Sequence, residues 1–141
     1  MAVIQKEIKL VGSKGKRNEV VLFDNGATYS CLEKSLAEEL GILDRLPELF
    51  EIETAEKERK IKIKEHISLV FYINGYRFSD EFMVVENLSE PVIIGAATLQ
   101  KWRMKLDFEN DEVIIDPRVT KLRLIKMGIE KFDRIQRICS K

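Results

Sequence analysis

Apolar and polar residues alternate over most of the first 117 positions, the two-residue period of strands with one buried face. Val3 to Val11 places Ile4, Ile8 and Leu10 on or near one face, and Glu19 to Phe23 is a short apolar strand. Gly12 to Lys16 between them is a turn. Phe50, Ile52 and Thr54 alternate with Glu51 and Glu53, and Ile61, Ile63, Ile67, Leu69 and Phe71 extend the pattern into a long strand. Asn74-Gly75 is a strong signal for a two-residue hairpin, with Tyr76 to Glu86 as the return strand. Pro91 introduces the apolar run Val92-Ile93-Ile94, which reads as a buried strand. Leu106-Asp107-Phe108 and Val113-Ile114-Ile115 flank a polar turn and predict a last hairpin. Two short helices interrupt the strands: Glu33 to Leu40, ended by Gly41, and Ala96 to Trp102. Many short strands at regular spacing predict a mainly β body of barrel or sandwich type.

The period changes after Pro117. Val119, Leu122, Ile125, Ile129, Phe132, Ile135 and Ile138 recur every three or four residues, which predicts an amphipathic helix. Residues 118–141 hold eight basic and two acidic residues, so this extension is +6 and the body is −6 in a chain of zero net charge. The sequence therefore divides into a body, 1–117, and a basic C-terminal extension, 118–141. A basic helix of this kind packs on the acidic body or across a dimer, or else contacts a membrane surface or a nucleic acid.

Composition narrows the chemistry. The chain has 141 residues, the length of one domain. Its balanced charge argues against a surface built wholly for nucleic acid. One histidine, His66, excludes sites needing two imidazoles from one chain. Cys31 and Cys139 form no CxxC pair, which argues against a zinc ribbon or a disulfide framework. No apolar run is long enough to span a membrane, and the N-terminus lacks the pattern of a secretory signal. A cytoplasmic protein with reduced thiols is expected.

The segment with most chemical content is Phe23-Asp24-Asn25-Gly26-Ala27-Thr28-Tyr29-Ser30. It puts a carboxylate at the end of an apolar strand, followed by a glycine suited to a tight turn. On pattern alone Asn25-Gly26 also reads as a hairpin turn. The segment has an echo: Val21 to Thr28 and Val92 to Thr98 both run from an apolar strand into Gly-Ala and a Thr.

Leu22-Phe23-Asp24-Asn25-Gly26-Ala27-Thr28-Tyr29-Ser30, with Val92-Ile93-Ile94-Gly95-Ala96 and the helix, strand, flap-like hairpin and long hairpin between them, resembles the retropepsin-like aspartic proteases. The likeness is to their small microbial members and runs over residues 3–116. It implies a closed, mostly antiparallel acid-protease barrel with short helices, and the sequence adds the C-terminal amphipathic helix. It also implies aspartic endopeptidase activity on a peptide or protein substrate, with no metal or other cofactor. In such enzymes two carboxylates too close to ionise together share one proton. One activates a water as base, and the other protonates the peptide carbonyl oxygen. This chain has a single Asp-x-Gly, so the resemblance implies a symmetric homodimer in which each protomer contributes Asp24. Asn25, Gly26 and Ala27 then form the active-site loop, Ile94 and Gly95 the supporting loop, and Thr54, Ala55, Glu56, Lys57 and Glu58 the flap. Two positions depart from the family pattern. Asn25 stands where a Thr or Ser is usual, and the segment Thr54 to Lys60 has no Gly. A second reading follows from these departures: a catalytically weak or inactive peptide-binding and dimerisation module. A third makes the basic extension the working part and the β body a dimeriser.

Other candidates have plainer readings. His66 falls at a polar position of its strand and suits a surface side chain better than a Cys31–His66 nucleophile pair. Asp107, Glu109, Asp111 and Glu112 fit a solvated turn, since a calcium loop needs a glycine there. Trp102 fits core packing or a dimer contact.

Overall fold

The computed structural model describes residues 3–54 and 59–120. Nine strands and three short helices follow one another in it: β1 (Ile4–Val11), β2 (Lys16–Phe23), β3 (Cys31–Glu33), α1 (Lys34–Leu40), β4 (Asp44–Thr54), β5 (Arg59–Ile73), β6 (Tyr76–Val85), β7 (Val92–Ile94), α2 (Ala96–Lys101), β8 (Lys105–Asp107), β9 (Glu112–Ile114) and α3 (Pro117–Thr120). Seven strands form one sheet in the order β1-β2-β7-β3-β6-β5-β4, and β1 also pairs with β5. That extra pairing, Lys9–Val11 against Val70–Tyr72, closes six strands into a barrel and leaves β4 as an arm beyond it. β8 and β9 form a separate two-stranded sheet.

The barrel is filled from alternate positions of its strands. Leu10, Val21, Phe23, Leu32, Phe71, Phe78, Phe82, Val92 and Ile94 are all fully buried in one cluster. Phe71 stacks on Phe78 at 5.5 Å between ring centroids and meets Phe82 edge-on at 5.8 Å, both favoured arrangements of aromatic quadrupoles. Trp102 packs edge-on against Phe78 and donates its indole N–H to the Ser79 carbonyl at 3.0 Å, so core packing is its role. Asn74 and Gly75 both have positive φ, 51° and 81°, the mirror-image turn whose twist matches its strands. They join β5 to β6 in a hairpin with eight paired positions.

Several sequence expectations are refined. β2 begins at Lys16 rather than Glu19, because Lys16 to Asn18 pair with Leu10-side residues of β1 despite being polar. β4 begins at Asp44 rather than Phe50. Its pairing with β5 breaks between Arg45 and Phe50, where four residues on β4 oppose one on β5. Pro47 lies in that break, an edge-strand position where its missing N–H costs no ladder bond. α1 is capped by the Glu33 carboxylate, which accepts from the amides of Ser35 and Leu36. Gly41 ends the helix in an extended conformation, its N–H bonded to the Ala37 carbonyl. The barrel is mostly antiparallel, as expected, with two parallel pairings, β2–β7 and β3–β6. Of the predicted C-terminal helix, Pro117–Thr120 is a single turn, and 121–141 lie outside the described residues. No described helix is long and apolar enough to cross a membrane.

Candidate active site

Asp24 follows the last residue of β2, whose Phe23 side chain is anchored in the core. There is no hairpin at Asn25-Gly26. β2 lies parallel to β7, with Leu22 beside Ile93 and Phe23 beside Ile94, so the two echoed segments are neighbours in the barrel. The chain makes a tight turn instead. The Ala27 amide donates to the Asp24 carbonyl at 3.2 Å, and the Gly26 amide donates to Asp24 Oδ1 at 2.9 Å. The carboxylate is thus oriented by its own turn, a habit of Asp side chains. Asp24 is half-buried, while Asn25 and Gly26 at the crest are exposed.

The supporting loop sits directly behind. The Asp24 amide donates to the Ile94 carbonyl at 3.0 Å. The Ala96 and Ala97 amides donate to the carbonyls of Ala27 and Thr28 at 2.6 and 3.0 Å. These are the first free N–H groups of α2, so the helix is started by the loop that carries Asp24. A Cβ on Gly95 would fall 2.7 Å from the Ala27 oxygen and 2.6 Å from the Tyr29 oxygen, so only glycine permits this approach. Ser30 and Thr98 complete the junction. They are the buried polar side chains among the described residues, and their hydroxyls meet at 2.5 Å. Neither is marked as functional by pattern. Thr98's place in the echo is the one signal that pointed to it.

Two paired strands flank the segment expected to form the flap. β4 and β5 pair from Phe50–Ile63 to Thr54–Arg59, and Ala55, Glu56, Lys57 and Glu58 lie outside the described residues. The arms are amphipathic. Glu51 opposes Lys62 and Glu53 opposes Lys60 on the exposed face, opposite charges across a strand pair that favour the hairpin. Phe50, Ile52, Ile61 and Ile63 occupy the other face and pack in a second apolar cluster with Cys31, Met83, Val85 and Ile93. The Tyr29 ring lies 5.3 Å from that of Phe50, so the loop after Asp24 touches the arm. Much of this cluster is only partly buried, and it lies between the Asp24 loop and the hairpin. Asn25 also lines a cleft of about 340 Å³, together with Leu99, Arg103, Met104, Lys105 and Leu106.

The alternative chemistry does not assemble. Cys31 and His66 are both register partners of Met83, one on each side, so a full strand separates them. His66 is half-buried rather than on the open surface. Its Nδ1 is shielded from solvent 2.8 Å from Glu81 Oε1, close enough for an ion pair when the ring is protonated but not aligned as a hydrogen bond. Among the described residues no three His, Cys, Asp or Glu side chains group as metal ligands. Asp107 instead accepts from the amide and side chain of Asn110, which hold its carboxyl below the usual range.

Burial pushes the Cys31 thiol up to about 11. At pH 8 the thiolate is then about one part in a thousand, against roughly a quarter for a free thiol. Alkylation of Cys31 in the native protein, followed by peptide mass mapping, is expected to run at least ~100-fold slower than in denaturant. Equal rates would show that the thiol is not enclosed.

The retroviral aspartyl protease family matches residues 3–121 of this chain. No curated protein sequence matches it. Among solved structures, the retroviral protease-like domain of Ddi1 from Leishmania major superposes with a TM-score of 0.61 at 20% identity, covering 82% of this chain and 90% of that one. The EIAV protease, solved with the inhibitor HBY-793, superposes with a TM-score of 0.55 at 17% identity, covering 73% and 90%. The likeness to these two structures is one of fold, and it agrees with the mainly β barrel closed by β1 and β5. With the match running almost the full described length and including both the Asp24 turn and its supporting loop, the chain belongs to the retroviral aspartyl protease family.

Proposed function

We propose that this protein is an aspartic endopeptidase that works as a symmetric homodimer. The observation that carries this reading is the Asp24 turn: a carboxylate oriented by the Gly26 amide, held from behind by Ile94, at a crest open to solvent. Each chain supplies one such carboxylate, and the reaction needs two. A two-fold axis beside Asn25 brings the pair together. The cleft next to Asn25 and the separate β8–β9 sheet, with Phe108 and Ile114 exposed, are the surfaces of this chain suited to the partner copy.

In the paired site, one Asp24 carboxylate takes a proton from a bound water as its oxygen attacks the peptide carbonyl carbon. The other, protonated, donates to the carbonyl oxygen. The tetrahedral intermediate then collapses, breaking the C–N bond as the nitrogen is protonated, and leaves a carboxyl and an amine terminus. The apolar face of the β4–β5 hairpin and its cluster supply a lining for substrate side chains and exclude water. Residues 54–58 are the proposed cover.

Asn25 favours a second reading. An exposed amide stands where family members usually place a small hydroxyl, and its greater length separates the two loops at the axis. The protein is then a dimeric peptide-binding module. Sedimentation equilibrium with a peptide-library digest separates these. A dimer that releases new termini is the expected result. A dimer that retains peptides uncut gives the second reading, and a monomer overturns both.

A further inference from the structure

We infer that Ser30 and Thr98 are positioning residues, a buried hydroxyl pair that fixes Asp24 through a single peptide unit. This rests on the reading of Asp24 as the catalytic carboxylate. The unit is the Ile94–Gly95 peptide. Its carbonyl accepts the Asp24 amide at 3.0 Å, and its N–H donates to Ser30 Oγ at 3.1 Å. One rigid plane therefore grips both ends of the loop 24–30. A peptide whose N–H and C=O are both engaged is polarised from each side, so the two bonds strengthen one another.

Ser30 Oγ is held in turn. It meets Thr98 Oγ1 at 2.5 Å, and both side chains are shut off from water, at 3% and 1% exposure. Ser30 Oγ thus accepts from the Gly95 amide and also bonds to the Thr98 hydroxyl, a pair in which either oxygen can be the donor. The Ser30 carbonyl accepts the Met83 amide at 2.9 Å, which ties this end of the loop to β6. Apolar side chains of similar size would fill the same space without setting a direction. Hydroxyls buried in a core are costly unless bonded, and here the bonds run between the end of the Asp24 loop, the Gly95 amide and α2.

Amide hydrogen exchange and steady-state kinetics on the full chain test the assignment. Ser30→Ala is expected to speed exchange of the Asp24 amide about tenfold or more, while amides of the Phe71–Phe78 pair keep their protection. Thr98→Val, which preserves shape, is expected to do the same to a smaller degree, and Ser30→Thr to restore protection. On a cleaved peptide, kcat falls about tenfold to a hundredfold with KM within about twofold, because the carboxylate is misplaced rather than the cleft altered. Unchanged Asp24 exchange in both variants overturns the inference. So does faster exchange spread evenly over the barrel, which signals general destabilisation. The exchange readout needs no catalysis, so it stands apart from Asp24→Asn, whose full activity would sink the protease reading instead.

Discussion

Asp24→Asn is expected to lower peptide cleavage by about 10⁴-fold or more while leaving the fold and the dimer intact. The size follows from the chemistry. In a two-fold site the substitution removes the base from one side and the acid from the other, and each such group is worth about 10²–10⁴-fold. The selectivity follows from the turn. Asp24 Oδ1 accepts the Gly26 amide at 2.9 Å, and an asparagine Oδ1 accepts the same bond. The backbone bond from Asp24 to Ile94 is untouched. The variant is thus a chemical knockout in an unchanged loop, and it should still bind peptides. Initial rates on a cleaved peptide, with thermal melts and sedimentation of both proteins, check the result. Residual activity within tenfold of the parent would place the reaction elsewhere. Asp24→Ala is a poorer test, because it also removes the acceptor that shapes the turn.

Gly95→Ala is expected to be the most damaging single-methyl change at the site, at about 3 kcal/mol of stability. The new Cβ would lie 2.6 and 2.7 Å from the carbonyl oxygens of Tyr29 and Ala27. Backbone oxygens cannot rotate away as side chains do. Both belong to the loop that also accepts the α2 amides, so relief means moving the loop that holds Asp24. For a domain of this size such a loss lowers the melting temperature by roughly 10 °C. Calorimetry on the parent and variant measures it, and a shift under ~2 °C would show that the loops are not in contact. Gly75→Ala is a contrast. It carries the strain of a positive φ but has nothing within 4 Å of the added methyl.

What the sequence revealed and what it withheld have physical causes. Asn74-Gly75 was legible because its turn type demands those residues locally. The arms at Phe50–Thr54 and Ile61–Phe71 were legible because one face is apolar and the other charged. The Asp24 motif was legible, but its surroundings pulled toward a hairpin, since the parallel pairing of β2 with β7 depends on contacts about 70 residues apart. No local pattern encodes that. The first half of β4 was missed because Pro47 and Glu48 break the alternation where the strand leaves its partner. Ser30 and Thr98 look like ordinary loop and helix residues until the fold brings them together.

The clamp on Asp24 has a consequence for how the protein is made. Apart from the Met83 amide, the groups that hold the loop from behind come from residues 94–98, whereas the β5–β6 hairpin closes through a two-residue turn. Long loops must be closed before their contacts repay the lost chain entropy, so non-local pairings form slowly and local hairpins early. A nascent chain that has not yet released Thr98 carries Asp24 and its turn but lacks the partners that hold that loop in place. The carboxylate is exposed early in synthesis, and the machinery arrives near the end of the body. The order of residues along the chain itself delays the moment at which a working site exists.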